Sequence, residues 1–343
     1  MKSTFDGRRS TVRRQSADCG SAVRAALVCL LVGIAALMSA RPVAAQDTHL
    51  IVITGVEGDE EHGAQFHKWA TQIIDVAEKK GGLTASTVTY LADKVERDPM
   101  RIRGRSTAEN IRKTFADLAM RAQPNDEVFV VMFGHGSYDG RQAALNLPGP
   151  DLTVPDYAAL LDKIRAGRIV FVNTASSSGE FLKGLAGPNR TIVTATKTGG
   201  ERNETRFPPF FVEAFTSEAA DGDRNGRISV QEAFEYARNK VQQAFEREGY
   251  VPSEHAAIAE AGGGAAASLY LESERARTAE IANVANPALR AALEEKRKLE
   301  EQIAGLRLRK PSMPADEYDK EFEKLATALA LNSRTIQQLE AKK

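Results

Sequence analysis

Cysteine is almost absent from this chain of 343 residues. Its two cysteines, Cys19 and Cys29, both lie within the first 45 residues. The rest of the chain therefore has no thiol that could act as a nucleophile, no thiolate for a metal ion and no disulfide. Any catalysis after residue 45 has to use other side chains.

A surplus of basic charge is also missing. The chain holds 46 Lys and Arg against 46 Asp and Glu, but the first 45 residues account for seven of the basic residues and only two of the acidic ones. The remainder thus carries a net charge of about −5. A mildly acidic protein is poorly suited to nucleic acid, so we expect no nucleic-acid partner.

The hydrophobic run near the N-terminus is short. Ala25–Ala40 spans sixteen residues, it follows several arginines, and the small residues Pro42–Ala45 come before Gln46. This pattern predicts an export signal over residues 1–45, cleaved before Gln46. The mature protein is then periplasmic or secreted and keeps no membrane span, whereas the alternative is a retained N-terminal anchor.

Strand and helix patterns alternate after this signal. Helical patterns begin at Ser106–Glu109, a capping box, and at Pro155, and apolar runs between the helices predict strands. The later strands are apolar throughout, which is typical of a parallel sheet covered on both faces. We therefore expect an α/β three-layer sandwich with a mostly parallel sheet. The predicted strands are 49–54, 86–91, 127–133, 168–173, 191–196 and a final one at 266–272.

Two reactive side chains come directly after predicted strands. His135 follows the strand that ends at Phe133, and Ser176 follows the strand that ends at Asn173. Ligands of such sheets bind at the carboxyl ends of the strands, so we expect both side chains at one edge. A histidine beside a small nucleophile is the working pair of covalent hydrolases.

Three segments resemble the legumain branch of the caspase-fold peptidases. Asp126–Ser137 is similar to the strand and His-Gly-Ser element of that branch, and Leu145–Tyr157 to the segment that follows it. Thr174–Gly179 aligns with the family's Glu-Ala-Cys-Glu-Ser-Gly run. The resemblance extends over roughly residues 48 to 270 and implies a caspase/legumain-like sandwich with peptidase chemistry.

The resemblance also implies roles for single residues. Ser176 stands where the family has its nucleophilic cysteine, His135 takes the role of the histidine, and the amide of Gly136 helps to bind the oxyanion. The family has an acidic residue in its asparagine pocket where this chain has Thr174. Its early Arg-His pair has Glu61-His62 as the nearest counterpart.

The serine leads to two hypotheses about function. A hydroxyl ionises far less readily than a thiol, and serine peptidases compensate with a histidine that a third group orients. The first hypothesis is a non-catalytic pseudo-peptidase that binds a peptide or protein partner. The second is an active peptidase that uses Ser176 with His135.

Geometry separates the two hypotheses. A hydroxyl within hydrogen-bond reach of the His135 ring, with Asp139 or Asp151 on the far side of that ring, favours the peptidase. The absence of a third group favours the binding protein. A simpler interpretation treats Ser176–Ser178 as a turn that caps a helix at Glu180.

The segment 221–232 matches the twelve-residue EF-hand calcium loop, with Gly226 at the sharp turn. We expect one structural Ca²⁺ site of weak affinity, flanked by helices over 209–219 and 230–247. The alternative is a degenerate surface loop. The predicted ligands are Asp221, Asp223, Asn225, the backbone carbonyl of Arg227, Ser229 and Glu232.

The composition changes after residue 272 to Glu, Lys, Arg, Ala and Leu. Apolar residues between Tyr318 and Leu339 recur every three or four positions, as in a heptad seam, and Leu289–Leu306 carries a poorer one. Pro311 and Pro314 interrupt the helical pattern. Residues 273–343 are therefore predicted to form a helical hairpin appended to a domain of residues 46–272, and self-association through it is a further expectation.

Overall fold

The computed structural model describes residues 46–261 and 264–341. The predicted export signal, residues 1–45, lies outside the described residues and stays a prediction. Within the described ranges, no helix combines the length and the apolar character that crossing a membrane requires.

Ten strands in the described ranges form two sheets. They are β1 (Thr48–Thr54), β2 (Val88–Ala92), β3 (Ile102–Arg105), β4 (Glu127–Phe133), β5 (Gly136–Tyr138), β6 (Ala143–Leu145), β7 (Leu152–Thr153), β8 (Arg168–Asn173), β9 (Arg190–Thr194) and β10 (Ala257–Glu260). The larger sheet has the order β10-β9-β8-β4-β1-β2-β3, and all neighbours are parallel except β9 and β10. The smaller sheet is antiparallel, in the order β5-β6-β7.

Helices connect and cover these strands. They are α1 (Glu60–Lys79), α2 (Ala108–Arg121), α3 (Val154–Leu161), α4 (Glu180–Gly184), α5 (Phe207–Ala214), α6 (Val230–Glu248), α7 (Glu274–Ala282), α8 (Pro287–Arg309) and α9 (Ala315–Glu340). The helix α3 begins with a capping box between Thr153 and Asp156, and a proline occupies its first turn as predicted.

The larger sheet is covered on both faces because successive side chains of its strands point to opposite sides. On one face, Val52 and Val131 pack with residues of α1, α5 and α6. On the other face, Ile53 and Val130 pack with residues of α2, α3 and α4. Every residue of β1 and β4 is buried, as expected for strands between two helical layers. The predicted α/β sandwich with a mostly parallel sheet is confirmed.

The strand order creates a switch point between β1 and β4. From β1 the chain continues to β2 on one side, and from β4 it continues to β8 on the other. A crevice opens outside the carboxyl ends of the strands at such a point. The residues that follow β1, β4 and β8 all leave the sheet at this edge.

The predicted capping box at Ser106 is wrong by one residue. The amide of Ser106 donates to the carbonyl of Ala92 at 2.8 Å, so Ser106 still continues the sheet. Thr107 is the N-cap of α2, and its hydroxyl accepts from the amide of Asn110. The sheet hydrogen bond holds the backbone of Ser106 away from the helix.

The strand expected over 266–272 is also wrong. Ala266–Ser268 is a short 3₁₀ turn, and Tyr270 makes a single antiparallel bridge with Ser229. The segment is buried against α6 and the neighbouring loop rather than at the edge of the sheet. The antiparallel edge strand is β10, which lies upstream and is only four residues long.

The last two helices form a hairpin. A 3₁₀ turn over Lys310–Ser312 separates α8 from α9. Leu289 and Ala292, near the start of α8, pack with Ile336, near the end of α9. This pairing of a helix start with a helix end makes the two helices antiparallel.

Candidate functional site

His135 lies two residues after β4, between two glycines. Gly134 has a φ of 149°, a region that favours glycine. The carbonyl of His135 accepts a hydrogen bond from the amide of Asn146 at 2.9 Å. Its half-buried ring lies 5.2 Å from the ring of Phe66, and its Nε2 is 3.7 Å from where a Cβ on Gly58 would stand.

Ser176 follows β8 and is almost buried. Its Oγ donates to the carbonyl of Gly136 at 3.1 Å and accepts from the amide of Gly136 at 3.3 Å. A Cβ on Gly136 would stand only 2.0 Å from the carbonyl oxygen of Ser176. The two backbone segments are therefore in direct contact, and only glycine fits at position 136.

The Ser176 hydroxyl and the His135 ring are not paired. Among the described residues, the His135 ring has aromatic neighbours but neither a hydrogen bond nor an ion pair. Asp139 accepts hydrogen bonds within its own turn, and Asp151 accepts from a backbone amide four residues before it. The third group that a serine nucleophile requires is therefore missing from the described part of the chain.

His62, in the first turn of α1, is an immediate neighbour of His135. The two ring centroids are 4.7 Å apart in an edge-on arrangement. His62 Nδ1 pairs with Asp59 Oδ2 at 2.8 Å, and Nε2 lies 3.4 Å from Glu204 Oε1. The hydrogen bond to Asp59, supported by the charges of both acids, raises the pKa of His62 against the opposing effect of burial. A carboxylate–imidazole pair thus exists here, but it involves His62 and not His135.

The sequence offers Glu61-His62 only as the nearest counterpart of the family's early Arg-His pair and does not count His62 among the catalytic residues. The structure places His62 in this cleft, because His62 shares one face of α1 with Phe66 and both rings contact His135. A signal was present in the sequence. Asp59 stands three residues before His62, which is the spacing of an N-cap, and it accepts from the amide of His62 at 2.9 Å.

The connection between β9 and α5 encloses the turn at Ser176 from the other side. The amide of Ser177 donates to the carbonyl of Glu201 at 2.8 Å, and the hydroxyl of Thr205 donates to the carbonyl of Thr174 at 2.6 Å. Thr174 is fully buried, and its hydroxyl donates to the carbonyl of Met132. The side chain at position 174 therefore supports the backbone and lines no open pocket.

The serines at 177 and 178 are buried in the same turn. Ser177 has a φ of 55°, in the left-handed region, and its buried hydroxyl has no hydrogen-bond partner. Ser178 Oγ accepts from the amide of Thr196 at 3.2 Å. The N-cap of α4 is Gly179, without a side-chain hydrogen bond. The interpretation of the three serines as a helix cap is therefore wrong.

The predicted calcium loop lies between α5 and α6. One carboxylate oxygen from each of Asp221, Asp223 and Glu232 falls within 4.8 Å of the other two. Gly226 has a φ of 85°, as the sharp turn of such a loop requires. The loop borders a cavity whose lining includes Glu127, the first residue of β4, so it lies towards the edge of the sheet opposite His135.

Backbone amides organise these carboxylates. Asp221 accepts from the amides of Asn225 and Gly226 at 3.0 and 2.8 Å. Glu232 accepts from the hydroxyl of Ser229 at 2.7 Å and forms a capping box with it at the start of α6. The same residues that the sequence predicts as ligands therefore shape the loop.

The chemistry of the loop suits a hard cation. All its candidate donors are oxygens, which Ca²⁺ prefers. Burial, followed by the charge of Glu232, raises the pKa of Asp223, as expected where negative charge is concentrated. Arg227 could contribute only its backbone carbonyl, because a guanidinium is a cation without an acceptor atom. Its own guanidinium is paired with Glu272 and lies 3.6 Å from the ring centroid of Tyr270.

Comparison with known proteins identifies one family. The sequence model of the Peptidase C13 family matches residues 67–260. Among solved structures, the protein GSU0716 from Geobacter sulfurreducens matches with 12% identity, and the match covers 64% of this chain and 96% of that one with a TM-score of 0.42. A search of curated protein sequences found no significant match.

The matched residues cover more than half of the chain. They include β4 and His135, the turn at Ser176 and the loop of residues 221–232. The seven-stranded sheet between helical layers agrees with the caspase/legumain-like fold of this family. The chain therefore belongs to the Peptidase C13 family, the legumain family.

Proposed function

We propose that this legumain-family protein is a pseudo-peptidase that binds a peptide or protein partner without cleaving it. The observation that carries the proposal is the bonding of Ser176, whose hydroxyl is engaged by the backbone of Gly136 in both directions. His135 has no carboxylate to orient it among the described residues. Among the described residues, no group raises the nucleophilicity of the Ser176 hydroxyl, which stands where the family has the thiol of its cysteine.

The binding site in this proposal is the crevice at the switch point. His62 and His135 lie side by side there, and Asp59 and Glu204 flank them with carboxylates that are more than half exposed. Side chains of this kind offer hydrogen bonds and negative charge to a partner. We also propose that the protein acts outside the cytoplasm, which the predicted export signal in residues 1–45 supports.

One observation favours the alternative, an active peptidase that uses Ser176 with His135. Ser177, directly after the candidate nucleophile, has a φ of 55°. Strained backbone of this kind costs about 1–3 kcal/mol and clusters at active sites. The same strained turn is also expected in a binding protein that descends from an active peptidase. A measurement of activity distinguishes the two.

The test of activity is a peptide-library cleavage assay on residues 46–343, read by mass spectrometry. We expect no products that depend on Ser176, and no cleavage of asparagine- or arginine-directed reporters. Ser176→Ala is the informative variant, and Ser178→Ala is its matched control because Ser178 bonds Thr196, two residues after β9, instead of Gly136. Turnover that Ser176→Ala abolishes and Ser178→Ala retains would establish the peptidase.

We further propose that the 221–232 loop binds one structural Ca²⁺ ion. An extracellular-type loop binds with a Kd of about 0.1–1 mM. Calcium at ten times that concentration then stabilises the fold by about 1.4 kcal/mol, because it binds only the folded chain. The expected result is a rise of a few degrees in the thermal midpoint.

Glu232→Gln tests this calcium effect. Removing one of the three clustered carboxylates is expected to abolish the shift. Glu235→Gln is expected to keep it, because Glu235 lies one turn later on α6, is hydrogen-bonded to Gln231 and is not part of the cluster. Magnesium serves as the ionic control. An identical midpoint with and without millimolar calcium in the unmodified chain would refute the site.

A further inference from the structure

The hairpin places two cations against the 221–232 loop. Lys296 Nζ donates to the carbonyl of Asn225 at 2.8 Å, and Arg307 Nη2 lies 3.8 Å from Asp223 Oδ2. Both cations come from α8. Eleven residues separate them, close to three turns, so they project from one face of the helix.

The hairpin also receives a cation from the loop. Arg227, whose guanidinium packs on Tyr270, pairs with Glu300 of α8 at 3.3 Å. Glu300 in turn accepts from Arg277 of α7 at 2.7 Å. The contact between the loop and the hairpin is therefore built from charge pairs.

The apolar clusters on the two sides of this contact are separate from each other. The buried apolar cluster of the domain next to the loop extends along the chain only to Leu271, and the hairpin has a separate cluster around Leu289 and Ile336. A cavity of about 410 Å³ lies between the loop and the hairpin, with apolar residues such as Phe322 and Leu329 on its hairpin side. The stability of this interface therefore depends on the negative charge of the 221–232 loop.

We infer that Lys296 and Arg307 act as built-in counter-cations of the loop, so that docking of the hairpin and binding of calcium oppose each other. The inference rests on the calcium site proposed above. Asp223 faces Arg307 and is also a candidate ligand, so an ion at the loop and the guanidinium repel each other. Coupling between two binding events is reciprocal: docking lowers the calcium affinity, and calcium weakens docking.

Arg307→Gln removes one counter-cation and keeps a polar, uncharged side chain, although the shorter amide gives up the hydrogen bond that Arg307 Nη1 donates to the carbonyl of Ala267. We expect isothermal titration of residues 46–343 with CaCl₂ to show affinity tighter by about three- to tenfold, the effect of one charge near a divalent ion in a largely aqueous setting. Lys296→Gln is expected to change the affinity in the same direction. Arg334→Gln, an exposed position of α9 with no ion pair among the described residues, is the charge-matched control and keeps the original affinity.

The weakening of hairpin docking by calcium is measured by hydrogen–deuterium exchange of α8. Calcium is expected to speed exchange over residues 296–307 in the unmodified chain, and to leave it unchanged in Glu232→Gln. Circular dichroism confirms that each variant retains its helices.

The outcomes separate the inference from the site. The opposition is overturned if calcium binds the unmodified chain, Arg307→Gln and Lys296→Gln with equal affinity. It is also overturned if calcium does not alter the exchange of α8. Either result leaves the calcium site itself intact. No calcium binding in any form removes the site, and the inference with it.

Discussion

The hydroxyl of Ser176 is hydrogen-bonded to the backbone on the opposite side of the cleft. Its Oγ both donates to and accepts from Gly136, whose amide would otherwise be free to bind an oxyanion. A substrate carbonyl would have to displace this bond before it reached the amide. In the proposed pseudo-peptidase, this bonding of Ser176 occupies both the candidate nucleophile and the candidate oxyanion donor.

Glu254 is a buried acid close to the same turn. It is 3% exposed, and one of its oxygens accepts from the amide of Arg206 at 2.6 Å, while the other has no hydrogen-bond partner. Burial is the main cause that raises the pKa of Glu254 to about 7. The folded chain thus retains a proton that an unfolded glutamic acid loses near pH 4.5.

We expect Glu254 to make the protein less stable as the pH rises from about 4.5 to 7. In that window the folded chain binds more protons at this group than the unfolded chain, so the free energy of unfolding falls with pH and levels off above 7. Glu254→Gln, which is neutral at every pH, is expected to remove a fall on the order of 2 kcal/mol. Urea unfolding at a series of pH values measures the difference.

Glu248→Gln is the control for this measurement. Glu248 is exposed and pairs with the side chain of Arg206, whose amide bonds Glu254. Its loss is expected to leave the pH slope in place. A slope that survives in Glu254→Gln would show that other groups cause it.

At the scale of elements, the sequence predicts best where burial is uniform. The strands β4 and β8 are continuous apolar runs, and both were located to within a residue from the pattern alone. The edge at which His135 and Ser176 emerge follows from the parallel arrangement. The turn of the 221–232 loop is likewise a local pattern, since it needs only a glycine with positive φ and closely spaced acidic residues.

Elements held by distant contacts were predicted less well. The strand β10 is four half-buried residues with no strong pattern, and it exists because β9 offers it an edge. The more apolar segment 266–272 was expected to be a strand, but it bridges to Ser229 and fills the core beside α6. The apolar character of segment 266–272 indicates that it is buried, but it does not indicate which element it packs against.

Gly305 in α8 provides a test at this scale. It lies in a helix, and a Cβ there would meet no atom within 4 Å. Gly305→Ala is expected to raise the free energy of unfolding by about 0.5–1 kcal/mol, because alanine loses less conformational freedom in a helix. Thermal unfolding followed by circular dichroism measures the gain.

Gly249→Ala is the matched comparison. A Cβ on Gly249 would be equally unhindered, but Gly249 caps α6 with a φ of 72°. The same substitution is expected to cost about 1 kcal/mol there, because the left-handed conformation disfavours a side chain. If alanine changed the free energy of unfolding equally at both glycines, backbone conformation would not be the cause of the difference expected here.

At the scale of the whole molecule, the described chain has two cores around one sheet and a third, smaller cluster in the hairpin. The two larger cores contain no residue after Leu271. We therefore expect residues 46–283 to fold without the hairpin. The truncated chain should unfold cooperatively, with near-UV circular dichroism like that of the full chain and a midpoint lower by several degrees.

A shorter truncation provides the contrast. Ending the chain at residue 265 also removes Ala266, Leu269 and Leu271, which are at most 3% exposed. That chain is expected to lose cooperative unfolding because the core beside α6 is opened. If residues 46–283 also failed to fold, the hairpin would be an integral part of the domain.

The sequence by itself determined the layered sheet, the edge at which His135 and Ser176 emerge, and the family to which the chain belongs. These features follow from continuous burial and short motifs, which local chemistry sets. Only the tertiary structure decided that His62 packs against His135, and that α8 brings Lys296 and Arg307 to the 221–232 loop. Those contacts join residues far apart in the chain, so their geometry depends on how the helices and loops pack over the sheet.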